Sequence, residues 1–95
     1  MLEAEFEAFL ANDESIKSKD KAVKSRMSKA RAVEKMIGKN LDSVIQSDKD
    51  MYDVLCAIDA YMNNRSGAYS NALRKYYTFR TGRVFSRIAE YEKRI

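Results

Sequence analysis

The sequence predicts an all-α fold, a small bundle of four to five helices. Three observations carry this reading. Proline is absent, and glycine occurs only at Gly38, Gly67 and Gly82. No run of β-branched and aromatic residues reads as a strand. Apolar residues recur at three- and four-residue spacing along most of the chain. With 95 residues, the chain makes one domain, 1–95, without repeats or linkers. A domain of that size can bury a modest core without disulfides or metals.

The elements follow in order. Residues 2–11, LEAEFEAFLA, set Leu2, Phe6, Phe9 and Leu10 at helical spacing, and Asn12-Asp13-Glu14 breaks the pattern. Ser18 is the expected N-cap of a second helix from about Lys19 to Ile37, with Asp20 in the first turn where the dipole favours an acid. Gly38 supplies the left-handed residue that ends it. Residues 41–45, LDSVI, form a short helical turn that tucks Leu41, Val44 and Ile45 inward. Ser47 followed by Asp50 resembles a capping box. The third helix behind it carries Met51, Val54, Leu55, Ile58 and Met62. Asn63-Asn64-Arg65 is a turn, and Ser66 caps a fourth helix that Gly82 stops. Residues 84–95 make a fifth, with Val84, Phe85, Ile88 and Tyr91.

Cys56 stands alone between Leu55 and Ile58 and reads as a buried, inert thiol. No internal disulfide is possible, which points to a reducing, cytoplasmic compartment. The N-terminus is acidic where a secretory signal would be basic. No apolar run approaches the ~18 residues of a membrane span, so no membrane partner is expected.

The net charge is +4, and its distribution is more informative than its size. Residues 1–15 carry five acids and no base; residues 16–40 carry nine bases and two acids. Residues 41–62 carry five acids and one base; residues 63–95 carry eight bases and two acids. Strongly acidic and strongly basic segments therefore alternate, and the fold can gather the basic ones on one side.

On a wheel of the second helix, Val23, Met27, Ala30, Val33 and Ile37 make the core face. Lys17, Lys21, Lys24, Ser28, Arg31 and Lys35 fall on nearly the opposite side. An ordinary solvated face intersperses glutamates at i+4, because like charges there repel. This stripe has none, since Asp20 and Glu34 lie off it. It is the first candidate surface for a polyanion. Arg26 falls inside the apolar face; it either extends its head to the core edge or pairs with a carboxylate, and it is read as structural.

The fourth helix mixes aromatic and basic residues in SNALRKYYTF. Tyr69, Ala72, Leu73, Tyr76 and Phe79 form its core face, with Tyr77 at the border. Ser66, Ser70, Asn71, Arg74 and Lys75 fall elsewhere and make a second candidate surface. Asn can pair with adenine, Arg with guanine, and hydroxyls with phosphate. An ordinary amphipathic helix is the competing account of the same pattern. The reading requires the cationic sides of the two helices to face the same way and to stay clear of the acidic segments.

Other chemistry finds little support. There is no histidine and one cysteine, and the acids are spread out, so no metal site or cofactor is expected. Asp48, Asp50 and Asp53 cluster at a helix start, where dipole and capping account for them. The phosphate-loop signature of nucleotide hydrolases is missing. The chain reads as non-enzymatic.

The order of motifs resembles the N-terminal core-binding, SAM-like domain of the tyrosine recombinases and phage integrases. The matching pieces are Phe6-Glu7-Ala8-Phe9-Leu10, Ser18-Lys19-Asp20, Met36-Ile37-Gly38 with Leu41-Asp42-Ser43-Val44, and Asp50-Met51. The last is Ser66 leading into Ser70-Asn71-Ala72-Leu73-Arg74-Lys75-Tyr76-Tyr77-Thr78-Phe79. The resemblance covers about residues 5–80 and is most specific in its last block. It implies a small orthogonal helical bundle that clamps one side of double-stranded DNA. The second and fourth helices would lie toward the grooves, and the terminal helices would contact neighbouring subunits. One departure is Asp20, which stands where that family usually has threonine. The family's catalytic domain, with its histidines, is not in this chain, so Tyr91 has no group to activate it as a nucleophile.

The expected function is a non-catalytic duplex-DNA-binding domain that contacts phosphates through its second and fourth helices. The alternative is a helical protein-interaction domain without DNA affinity. In it, the acids Glu3, Glu5 and Glu7 dock on Arg83, Arg87 and Arg94 of another copy.

Overall fold

The computed structural model describes residues 1–13 and 19–94, at Lys19 the backbone alone. Every element is helical: α1 (Glu3–Ala11), α2 (Lys19–Ile37), α3 (Leu41–Val44), α4 (Asp48–Tyr61), α5 (Ala68–Thr81) and α6 (Ile88–Arg94). The short turn at 41–45 is thus a helix of its own, and the expected third, fourth and fifth helices are α4, α5 and α6. The expected cap at Ser18 lies outside the described residues.

Local chemistry sets the ends. Gly38 and Gly82 close α2 and α5 in left-handed geometry, at φ of 67° and 71°. Ser47 Oγ accepts the Asp50 N–H at 3.4 Å at the start of α4. Asn40 Oδ1 accepts the Asp42 N–H at 2.9 Å at the start of α3.

The core runs through all of the longer helices. Phe6, Leu10, Ala30, Val33, Leu41, Met51, Ile58, Ala72, Leu73 and Tyr76 have no exposed surface. The most extensive helix contact is between α2 and α5. Aromatic rings pack on both sides of α5. Tyr76 meets Phe6 edge-on at 4.9 Å, and Phe79 adjoins both Phe6 and Phe9. Tyr77 meets Phe85 edge-on at 5.4 Å, and Phe85 leads on to Tyr91 and Tyr52. Adjacent residues on a helix point about 100° apart, so Tyr76 and Tyr77 serve two different clusters.

Four expectations need correction. Leu2 is 43% exposed, because it precedes the first helical turn. Val84 is 85% exposed, because α6 begins only at Ile88 and the segment before it is not helical. Tyr77 is buried beneath Phe85 instead of lying at a border. Cys56 is half-buried, beside Tyr52.

A polar knot joins α1, α3 and α5. The Tyr76 hydroxyl donates to Asp42 Oδ1 and accepts the Leu2 N–H at 2.8 Å. Asp42 also pairs with Arg80 at 3.0 Å and with the Met1 ammonium at 3.3 Å. Burial, followed by the Asp42 bond, pushes the Tyr76 phenol up to about 12. Burial also acts to raise Asp42, but the Tyr76 hydroxyl, the ammonium and Arg80 together hold it below its ordinary value. The signs are opposite. The Tyr76 contribution to stability is complete below its unfolded value near 10 and is lost as pH rises toward about 12. The Asp42 contribution is present above its ordinary 3.8 and is lost as pH falls below it. Urea unfolding of Tyr76→Phe should show lower stability at pH 8 and a smaller loss between pH 10 and 12 than the parent. An alkaline loss of equal size in the two proteins would remove Tyr76 from the account.

Candidate nucleic-acid interface

The turn before α5 builds one wall of the candidate surface. Ser66, the expected cap, is exposed and makes no hydrogen bond among the described residues. The cap residue is Gly67, at φ 74°, a left-handed conformation that side chains resist. Having no side chain, Gly67 leaves the first N–H groups of α5 to another residue. Asn64 takes that role: its Oδ1 accepts the N–H groups of Tyr69 and Ser70 at 3.1 and 3.3 Å. Its amide donates to Asp59 Oδ1 at 2.8 Å and to Ser70 Oγ at 3.1 Å.

The predicted residues divide into two groups. Lys21, Lys24, Ser28, Lys35, Ser66 and Asn71 are exposed, and their side chains bond no described residue. The other four described residues are engaged. Arg31 pairs with Glu3 at 2.6 Å, but both side chains are about half exposed. Such a surface pair contributes only about 0–1 kcal/mol, so a phosphate can displace it. Ser70 Oγ donates to the Gly67 carbonyl at 3.1 Å and belongs to the capping turn. Lys75 pairs with Asp13. Arg74 Nη1 donates to the carbonyls of Phe85 and Ser86 at 3.0 and 3.1 Å, and its guanidinium lies over the Phe85 ring. Burial pushes the Arg74 guanidinium down from its ordinary value. It anchors the segment after α5 instead of reaching outward. Lys17 lies outside the described residues.

The two candidate surfaces do not merge into one face, so the requirement that the cationic sides of the two helices face the same way and stay clear of the acids is not met. Arg74 turns inward, Lys75 is held by Asp13 and Arg31 by Glu3, and only the α2 cations remain as a candidate contact surface. Ala22, Ser25, Arg26 and Lys29 of α2 line a groove with Ser66, Ala68 and Asn71. This groove continues along Arg26, Asn71, Arg74, Lys75, Thr78 and Val84. The α2 residues in it lie roughly 130° around the helix from the lysine stripe, at about 100° per residue. The stripe points outward, and at its edge Arg31 reaches Glu3 of α1. α2 is therefore a ridge with cations on both flanks. Arg26, which sequence reasoning read as structural, and Lys29, which it did not consider, both border the groove. Among the described residues Arg26 finds no carboxylate, and its Nε is buried without a hydrogen-bond partner. The Lys29 ammonium sits 5.0 Å from the centre of the Tyr69 ring. Lys29 broke the three-four rhythm of the stripe, and only the position of α5 shows what it borders.

Among the described residues, no group of acids, cysteines or histidines is arranged to hold a metal. None of the described helices is long and apolar enough to cross a membrane. The fold and surface define a small all-α bundle with a cationic ridge. Comparison with known proteins finds no family model, curated protein or solved structure that matches the chain.

Asn64→Ala should lower stability by about 1 kcal/mol through loss of the α5 cap, read by urea unfolding. Ser66→Ala should leave it unchanged, and the reverse order of the two variants would refute this assignment of the cap.

Proposed function

We propose that the chain is a duplex-DNA-binding helical domain, non-catalytic by itself, of a tyrosine-recombinase- or integrase-like protein. The observation that carries this reading is the exposed arc of α2. From Lys24 and Lys35 through Ser28 and Lys21 to Ser25 and Lys29, it holds cations and hydroxyls with Ala32 and Met36 between them, and its one flanking carboxylate is Asp20, a turn before Lys24. Four or more like charges on one helix repel each other, and a polyanion relieves that repulsion. A helix of about 10–12 Å diameter also suits a major groove about 12 Å wide. In this reading, α2 is the ridge that meets the duplex, and Ser66 and Asn71 at the start of α5 extend the contact. The resemblance of residues 5–80 to the core-binding domain supports the same two helices.

Neutralising four to six phosphates gives a slope of about −4 to −5 for log affinity against log salt. A gel-shift titration on random duplex at several salt concentrations reads it, and a slope near zero rejects the proposal. Replacing Lys24, Arg31 and Lys35 by alanine should weaken binding to all sequences alike and flatten the slope by about 1 per residue. Asn71→Ala should change sequence preference instead.

A second reading rests on Glu5, Glu7, Arg83, Arg87 and Arg94, all exposed and unpaired among the described residues. The acidic α1 of one copy then docks on the basic C-terminal segment of another. Light scattering at two salt concentrations separates the readings: a salt-sensitive dimer without duplex affinity favours this one.

A further inference from the structure

We propose that the groove between α2 and α5 is a phosphate-group site anchored by Arg26. The orphaned guanidinium is the main observation. Arg26 Nε is shielded from solvent and meets no acceptor. A buried donor in that state is destabilising unless something fills its valence. None of the described groove residues bonds Arg26 Nε: Ala22, Ser25, Lys29, Ser66, Ala68 and Asn71 line the groove, the two hydroxyls and the Asn71 amide oxygen are only neutral acceptors, and no carboxylate is among them. In its continuation, Arg74 and Lys75 are already bonded elsewhere, and no acid is among the described residues of the wall. The lining contrasts with that of the nearby groove at Asp13 and that at Asp50 and Asp53.

The missing partner is thus an anion with several acceptor oxygens. Arg26 and Lys29 supply two positive charges, and the Asn71 amide and the Ser25 and Ser66 hydroxyls supply neutral donors. A tetrahedral phosphate accepts from all of these at once; Arg26 binds it side-on through two N–H groups once its side chain turns to bring the covered Nε into the groove. A single carboxylate has too few oxygens to use the set. Lys29 is held near the groove by its contact with Tyr69, so little ordering remains to be done on binding. The site does not rest on the DNA reading. A free phosphate compound and a phosphodiester of a nucleic-acid backbone present the same oxygens.

The test is a titration of the 15N-labelled chain with inorganic phosphate at constant ionic strength, followed by NMR. The Arg26 Nε–Hε signal, the Asn71 side-chain amide and the Ser66–Asn71 backbone should shift together and saturate at millimolar phosphate. Arg26→Met keeps the aliphatic stem and removes the orphaned donor, so it should fold with an unchanged or higher melting temperature. Its phosphate affinity should fall by at least about tenfold. Lys29→Gln should weaken phosphate binding while retaining the Arg26 response. Duplex affinity in Arg26→Met then assigns the source: its loss marks a backbone phosphate, and its retention marks a free phosphate compound. Failure to saturate the Arg26 signal, or an equal phosphate response in Arg26→Met, overturns the proposal. The salt slope on duplex DNA is a separate measurement, so the failure of one idea does not imply failure of the other.

Discussion

The contact between α2 and α5 is the constraint on which the other features depend. Ala30 and Ala72, both fully buried, are the smallest residues on the two apolar faces. Small residues let helix axes approach toward the close end of the usual 8–10 Å range. The packing of α2 on α5, the most extensive helix contact of the fold, has two effects. It seats Tyr76 deep enough to pack on Phe6 while its hydroxyl reaches Asp42. It also crowds the polar residues at the seam, so that Arg26 is covered at Nε. Apolar packing and the arrangement of cations are therefore two results of one geometry.

The alternating acidic and basic segments acquire a physical meaning in this arrangement. Acids of the first segment reach bases of the second and fourth, as Glu3 does for Arg31 and Asp13 for Lys75. Asp42, from the third segment, takes Arg80. Only the first of these pairs involves α2; the other two hold cations of α5. The Arg31 pair is exposed and exchangeable, whereas the Lys75 pair is more enclosed and more costly to open. Lys21, Lys24 and Lys35 of α2 bond no described residue, whereas Arg31 beside them is paired.

Much of the fold was readable from the sequence, because its main determinants are local. The 3.6-residue rhythm of Val23, Met27, Ala30, Val33 and Ile37 and the stop at Gly38 defined α2 from Lys19 to Ile37, where it lies. The short helix at Leu41 and the cap at Ser47 were equally local. What sequence could not give was long-range pairing. Ser66 has the right chemistry for a cap, but Asn64 reaches the α5 amides because Gly67 turns the chain left-handed. Arg74 looks like a base-reading residue on a wheel, and only the returning segment at Phe85 shows its partners. The wheel placed the lysine stripe well, but it carried no information on which flank of α2 would adjoin α5.

The Arg74 clamp has a consequence for how this chain can vary. Its partners at Phe85 and Ser86 are main-chain carbonyls, which every amino acid possesses. The route of the chain from α5 to α6 is therefore held without reference to the side chains along it, except for the Phe85 ring. Substitution at Val84 or Ser86 leaves the clamp its acceptors, so related chains can diversify this rim while α6 stays anchored. A guanidinium spent on peptide oxygens separates the path of the segment from its chemistry.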